Sequence, residues 1–192
     1  MKKILSVLLI GIMMLSFAAC GGNKGEEINL MQKTWEGDDV KVSAKLYYSP
    51  ESDILVENEE EKPYKTLITN EELNYKMEIL LWEDTTFDNN KKSGKERMDT
   101  FTEFKVDKFD SYGYEEMKGY TAFVHLEEVS ETTDRYMEVR IRKISLDEDS
   151  MEGAEFFENE EIRGIIDSLE YEGVVELPVE EEEEETEQNK NS

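Results

Sequence analysis

Strict alternation of apolar and polar residues is the feature of this sequence that most restricts its fold. Leu73, Tyr75, Met77, Ile79 and Leu81 occupy every second position of one segment. Because successive side chains of a β-strand point to opposite faces, this spacing predicts a strand with one buried face. Similar alternation or short apolar runs predict further strands over 40–46, 54–56, 64–68, 106–109, 120–126 and 137–141.

Two segments change to the spacing of an amphipathic helix. Apolar residues three and four apart predict a short helix over 95–105, after a loop at 89–94, and a longer helix over 151–169. Residues 128–134 have the length of a hairpin connection. This order of elements predicts one α+β domain over residues 38–173, with a mainly antiparallel β-sheet flanked by helices.

The N-terminus has the organisation of an export signal. Two lysines precede an apolar stretch at 4–19 that is shorter than the ~20 residues needed to span a bilayer. A cleavable signal peptide is therefore predicted over 1–19. The only cysteine, Cys20, directly follows Ala18 and Ala19, and this arrangement resembles the lipobox of bacterial lipoproteins.

The lipobox resemblance implies a location as well as a modification. It implies cleavage between Ala19 and Cys20 and attachment of a diacylglyceryl group to the sulfur of Cys20. Several acyl chains anchor a protein stably, so the domain would be held outside the cytoplasm at the cell membrane. Ordinary secretion with a free thiol at Cys20 is the alternative.

The charge of the chain limits its partners. The sequence has 48 acidic and 22 basic residues, with a formal net charge of -26. This balance argues against binding nucleic acid through phosphate contacts and favours a basic protein or peptide partner. Residues 174–192, with an unbroken glutamate run at 180–185, are predicted to be a disordered acidic tail. Residues 20–37 are predicted to be a flexible tether.

Leu46–Pro50, Lys118–Tyr120 and Ile165–Leu169 are three short segments of the domain that carry a family resemblance. They are similar to segments of the PsbP-like group, which includes extrinsic photosystem II subunits and many bacterial lipoproteins. The resemblance covers about residues 38–173 and implies an α-β-α sandwich around an antiparallel sheet. Members act mostly as binding or accessory modules, so the resemblance implies a protein that is not an enzyme, without assigning it a photosystem role.

His125 is the only imidazole, so any triad that requires histidine must use it. It lies in the middle of a predicted strand, on the face opposite Ala122 and Val124 and beside Phe123. This position is more typical of a partly exposed sheet residue or a hydrogen-bonded core residue than of a catalytic base. Paired carboxylates could serve a hydrolase, but with 48 acidic residues such pairs arise by chance.

One acidic segment partly matches a twelve-residue Ca²⁺ loop. Asp147, Asp149 and Glu158 would fall at its first, third and twelfth positions. Met151 at the fifth position supplies no oxygen ligand, and the turn glycine comes one residue late. The segment is therefore interpreted as an acidic turn before the last helix, and neither a metal nor another cofactor is predicted.

Aromatic residues offer a candidate binding platform for a sugar or a peptide. Most tyrosines and phenylalanines at strand spacing form core contacts or cross-strand pairs. Tyr112–Gly113–Tyr114 is predicted to be an exposed loop and is the best candidate for such a surface. The other candidate members are Trp35, Trp82, Tyr47 and Tyr48.

These observations predict a membrane-anchored surface lipoprotein with a non-catalytic binding or accessory domain. A receptor for a small ligand, such as a cation, a basic peptide or a glycan fragment, is the alternative. A carboxylate-based hydrolase is the third reading and has the least support.

Overall fold

The computed structural model describes residues 25–30, 41–59, 65–116, 119–145 and 151–175. The predicted signal peptide, Ala19, Cys20 and Trp35 lie outside these residues. So do Asp147 and Asp149 of the acidic segment, and the glutamate run of the predicted tail.

The described residues form ten strands and three helices. The strands are β1 Glu26–Asn29, β2 Lys41–Tyr48, β3 Leu55–Glu59, β4 Lys65–Asn70, β5 Tyr75–Asp84, β6 Thr102–Val106, β7 Phe109–Glu116, β8 Gly119–Ser130, β9 Thr133–Lys143 and β10 Glu170–Val175. The helices are α1 Phe87–Arg97, α2 Glu155–Glu158 and α3 Glu160–Asp167.

Two antiparallel sheets organise the molecule. The large sheet has seven strands in the order β3-β4-β5-β9-β8-β7-β6, and the small sheet has three in the order β1-β2-β10. Every described strand pair is antiparallel. The prediction of an α+β fold with a mainly antiparallel sheet is confirmed, because hairpins connect most neighbours in the large sheet.

The main core lies between the two sheets, and α2 and α3 help to cover it. The predicted alternation of β5 places Tyr75, Met77, Ile79 and Leu81 in this core, each at most 6% exposed. Helix α3 contributes its apolar stripe from the other side. The face of the large sheet that meets this core is called the inner face below, and the opposite face is called the outer face.

The loop predicted at 89–94 is wrong, and the helix predicted over 95–105 is correct only for residues 95–97. Residues 89–94 belong to α1, whereas Thr102–Val106 is strand β6 and pairs with β7. The sequence of α1 is rich in asparagine, serine and glycine, which have poor helix propensity. Tertiary contacts form the helix instead: Phe87 is buried, and the backbone N–H of Phe87 donates to Asp134 Oδ2 at 2.6 Å.

The predicted strand over 106–109 is also wrong. Val106 pairs with Phe109 as the last pair of a hairpin, and Asp107 in the turn has a φ of 51°. The hairpin predicted over 128–134 is present but tighter, since Ser130 pairs with Thr133.

The single helix predicted over 151–169 is divided at Asn159. This residue is extended, with a φ of -66° and a ψ of 127°, and its side-chain oxygen accepts from the N–H groups of Glu161 and Ile162. Asparagine is a favoured N-cap, so the chain starts a new helix there rather than continuing the first one.

Both ends of the domain extend beyond the predicted boundaries. Residues 26–29 of the predicted tether form β1, which pairs with β2, and Ile28 is buried. Val174 and Val175 of the predicted tail belong to β10, which also pairs with β2. The small sheet is therefore built from the two ends of the described chain around one central strand.

Candidate functional site

A second hydrophobic cluster lies on the outer face of the large sheet. Aromatic residues on β5, β9, β8 and β7 occupy positions that alternate with the inner-face residues of the same strands, so their rings lie on the outer face. We call this group the outer aromatic cluster; its members are Trp82, Phe87, Phe101, Tyr112, Tyr114, Phe123 and Tyr136. An outer face of an antiparallel sheet is commonly polar, so this concentration of rings distinguishes the surface from an ordinary solvated face.

Cross-strand register brings the cluster together. Phe123 on β8 pairs with Tyr112 on β7 and with Glu138 on β9. One step along the sheet, Tyr136 on β9 pairs with Trp82 on β5 and with His125 on β8. Residues directly opposite one another have Cβ atoms only about 5 Å apart, so these rows are continuous surfaces of contact.

Three rings of this cluster lie close together, with Phe123 between the other two. Phe123 is 8% exposed, and the half-buried rings of Trp82 and Tyr114 approach it from opposite directions across the sheet. Their ring centroids lie 6.4 Å and 6.0 Å from that of Phe123, with interplanar angles of 57° and 37°. The rings are therefore inclined around Phe123 rather than laid out as one flat platform.

Glu138 places a buried carboxylate beside these three rings. It is 5% exposed and directly opposite Phe123, and Leu80 is its neighbour on β5. Its Oε1 accepts from Arg140 Nε at 2.6 Å, and no described residue donates to Oε2. Burial raises the pKa of the Glu138 carboxyl, and the hydrogen bond from Arg140 opposes that shift.

Arg140 is the cation that accompanies Glu138. Its side chain is 38% exposed and lies opposite Glu78 on β5 and Thr121 on β8. Its hydrogen bond to Glu138 and the charges of Glu138 and Glu78 raise its pKa, against the effect of burial. Alternation along β9 suggests a solvated face for positions 138 and 140, but it does not reveal that Leu80 and Phe123 on the adjacent strands enclose Glu138.

Helix α1 covers one end of the outer aromatic cluster. The ring of Phe87 lies 5.5 Å from Tyr112 and stacks on His125 at 4.9 Å. A Cβ on Gly94 would stand 3.4 Å from the rings of Phe101 and Tyr112, so the helix backbone passes directly over them. The part of the cluster around Trp82, Tyr114 and Glu138 lies outside these contacts.

His125 is on the predicted face, opposite Val124 and on the same side as Phe123. Its Nε2 lies 3.2 Å from Asp134 Oδ2, within ion-pair distance. Nε2 is buried and has no hydrogen-bond partner among the described residues. His125 packs against Phe87 of α1 and lies beside the carboxylate of Asp134. These contacts explain it as a structural residue that helps to hold α1 on the sheet.

The structure brings together only part of the predicted aromatic platform. Trp82, Tyr112 and Tyr114 belong to the outer aromatic cluster. The exposed loop predicted at 112–114 is wrong, since this segment lies within β7 and Tyr112 is 2% exposed. Burial raises the pKa of Tyr114 to about 12.

Tyr47 and Tyr48 lie elsewhere, at the end of β2 in the small sheet. Their hydroxyls donate to Glu170 at 2.9 Å and to Glu26 at 2.5 Å, respectively. These contacts connect β2 to its two neighbouring strands. Both residues are therefore accounted for by the architecture of the small sheet.

A different polar cluster surrounds Arg135 at the rim of the main core. Its side chain is 4% exposed and forms ion pairs with Glu83 on β5 and Glu127 on β8. It also donates to the hydroxyl of Tyr171 on β10 at 3.1 Å. Because this guanidinium joins the two sheets and its charge is compensated, the cluster has a structural explanation.

The described residues contain no group of three or more histidine, cysteine, aspartate or glutamate side chains placed to hold a metal ion. Within the same residues, no helix has the length and apolar character needed to cross a membrane.

Comparison of the chain with protein-family models, with curated proteins and with solved structures finds no match. The function must therefore be argued from the site itself.

Proposed function

We propose that this protein is a lipid-anchored surface protein whose domain is a non-catalytic binding module, and that the uncovered part of the outer aromatic cluster is its binding surface. The observation that carries the proposal is the proximity of the rings of Trp82, Phe123 and Tyr114 to one another and to the buried carboxylate of Glu138. Aromatic rings with a few oriented polar groups are the usual composition of a recognition surface.

The anchor in this proposal is the lipobox-like N-terminus. Attachment of acyl chains to Cys20, together with cleavage between Ala19 and Cys20, would hold the domain at the outer side of the cell membrane. The strong negative charge of the chain would keep the domain away from anionic lipid headgroups. The ligand-binding face would then be available to partners outside the cytoplasm.

The finer fold assignment belongs to the same proposal. We infer an α-β-α sandwich of the PsbP-like type from the short sequence similarities at Leu46–Pro50 and Ile165–Leu169. The large antiparallel sheet, with α1 on one face and α3 on the side of the main core, supports it, and the small sheet on the core side is an addition to that pattern.

Replacement of Cys20 by Ala tests the anchor. The variant should leave the membrane fraction and should not incorporate radiolabelled fatty acid, because the acceptor sulfur is absent. A Ser16→Ala variant, which keeps the cysteine, should behave like the unaltered chain. Membrane retention and labelling of the Cys20→Ala variant would contradict the proposal.

Thermal unfolding with a ligand panel tests the binding surface. The panel contains basic peptides, cell-wall glycan fragments and Ca²⁺, each with an ionic-strength control. A ligand at 100 times its dissociation constant adds about 2.7 kcal/mol and raises Tm by several degrees. Trp82→Ala should abolish the shift, whereas Tyr48→Ala in the small sheet should retain it. A shift that Trp82→Ala retains would place binding elsewhere and refute the proposal. Loss of the shift in both variants would also refute it, because the loss would not be specific to the outer aromatic cluster.

A further inference from the structure

The proposed binding surface contains an arrangement that suits one class of ligand, and this inference rests on the proposed function. We propose that Trp82, Tyr114, Phe123 and Glu138 form a recognition site for the side-chain cation of a basic peptide. We call these four residues the cation site.

The ring geometry is the first argument for a cation. A cation is attracted to the face of an aromatic ring when it lies within about 6 Å of the ring centroid, and tryptophan is the strongest partner. The centroids of Trp82 and Tyr114 lie 6.4 Å and 6.0 Å from that of Phe123. Phe123 is 8% exposed, so a compact charged group would lie against the half-buried rings of Trp82 and Tyr114 on either side of it. A sugar ring would favour a flat exposed platform instead.

The carboxylate of Glu138 is the second argument. It is buried opposite Phe123, and one of its oxygens receives no hydrogen bond from the described residues. A guanidinium or ammonium group beside these rings could donate to that oxygen, while Arg140 holds the other one. Hydrogen bonds between ionised partners are roughly twice as strong as those between neutral groups.

The surrounding charges favour a peptide as the source of this cation. The exposed carboxylate of Asp84 lies one step beyond Trp82 on the same face, opposite the buried carboxylate of Asp134 that accepts from α1. The whole chain carries a formal charge of -26, which attracts a polybasic segment from a distance. A phosphocholine headgroup also has a cation, but its phosphate would be repelled by these carboxylates.

A labelled peptide provides a direct test. The probe is a nine-residue peptide with three arginines, and its counterpart has citrulline at the same positions and is therefore neutral. Binding to the full-length chain, purified in an uncharged detergent, is measured by fluorescence anisotropy at one fixed ionic strength. The arginine peptide should bind saturably, and the citrulline peptide at least about tenfold more weakly, because it lacks the charge that the rings and Glu138 recognise.

Variants separate the cation site from general electrostatic attraction. Glu138→Gln should raise the dissociation constant of the arginine peptide about fivefold to tenfold. Trp82→Phe, which keeps a ring but weakens the attraction, should raise it about threefold, and Trp82→Ala should raise it further. Glu131→Gln removes an equal charge from the β8–β9 turn and should leave the dissociation constant unchanged. A thermal melt of each variant verifies that it is folded. If Trp82→Ala is not folded, Trp82→Phe still tests the contribution of the ring.

The outcomes distinguish this inference from the proposed function. Equal binding of the arginine and citrulline peptides would overturn the cation site, as would equal effects of Glu138→Gln and Glu131→Gln. If a glycan fragment or another neutral ligand gives a Trp82-dependent thermal shift, the binding surface stands and the cation site is refuted. If no ligand gives such a shift and the arginine peptide does not bind, both are refuted.

Discussion

Glu138 shows how a single residue acquires properties that its neighbours in the sequence do not predict. It alternates with Met137 and Val139, as a solvated residue of a half-buried strand does, yet its side chain is enclosed by Leu80 and Phe123. Its carboxyl is therefore held in an apolar setting with Arg140 as its hydrogen-bond donor. Such a carboxylate is less costly to keep when a second cation approaches it.

The raised pKa of Glu138 predicts that the difference in stability between the unaltered chain and the Glu138→Gln variant depends on pH. Since this pKa lies above the ordinary value of 4.5 in the folded chain, the folded state binds more protons than the unfolded state just above pH 4.5. The stability contributed by this group therefore decreases as pH rises through that window. Gln does not titrate, so Glu138→Gln should gain stability relative to the unaltered chain between pH 4 and pH 7.

Urea unfolding of both proteins at several pH values checks this prediction. The difference in the free energy of unfolding should change by about 1.4 kcal/mol for each unit by which the pKa is raised. Effects of the other carboxylates are common to both proteins and cancel. A difference that is constant from pH 4 to pH 7 would contradict the burial of Glu138.

At the scale of elements, α1 is a helix stabilised by the sheet beneath it. Thr86 at its N-cap makes no side-chain capping hydrogen bond, and Asp134 on β9 accepts from the N–H of Phe87 instead. The carboxylate also lies near the positive end of the helix dipole. A neighbouring strand therefore supplies the cap that most helices obtain from their own sequence.

Removal of this cap should selectively destabilise α1. Asp134→Ala should cost about 1–2 kcal/mol of stability and should accelerate hydrogen exchange at the amides of Asn89 and Asn90, which close the first turn on Thr86. Asp134→Asn keeps an acceptor oxygen and should lose less. Asp84→Ala, at the opposing position on β5, is the matched control for loss of charge. Equal exchange rates in Asp134→Ala and Asp84→Ala would mean that α1 does not depend on the cap.

The elements also show which parts of the fold are readable from the sequence. The strands with strict alternation, such as β5 and β9, are predicted because one buried face imposes a two-residue period. The sequence predicts that residues 151–169 are helical but not that the helix is interrupted at Asn159. The capping role of Asn159 depends on its extended backbone, which the apolar spacing does not indicate. Helix α1 could not be predicted, since its stabilising contacts come from residues about 45 positions later in the chain.

The candidate site is less readable than the fold for the same reason. Trp82 and Tyr114 are conspicuous in the sequence, but their proximity to Phe123 depends on the strand order β5-β9-β8-β7. Turns fix the register between β7, β8 and β9, but the pairing of β5 with β9 joins strands that are distant in the sequence, so local pattern does not reveal it. The sequence therefore suggests individual aromatic candidates, and the pairing of strands determines which of them share a surface.

At the scale of the whole molecule, unbalanced charge opposes the compact state. The formal charge of -26 on 192 residues implies self-repulsion, which is spread over the surface and is sensitive to salt. Ion pairs such as Lys91–Glu103 and Lys45–Glu27 partly offset it, but exposed pairs contribute at most about 1 kcal/mol each. When salt screens both effects, the stability gained from weaker repulsion should therefore exceed the stability lost from weaker ion pairs.

Thermal unfolding at increasing NaCl concentration checks which effect is larger. Between about 0.01 M and 0.15 M salt the screening length falls from about 30 Å to about 8 Å, so repulsion between distant carboxylates is largely removed. We expect Tm to rise by about 3 °C, which corresponds to about 1 kcal/mol for a chain of this size. MgCl₂ at matched ionic strength separates screening from cation binding, because a larger rise with Mg²⁺ would indicate a bound ion. A fall in Tm with NaCl would show that the surface ion pairs, and not the net charge, dominate the electrostatic stability of this domain.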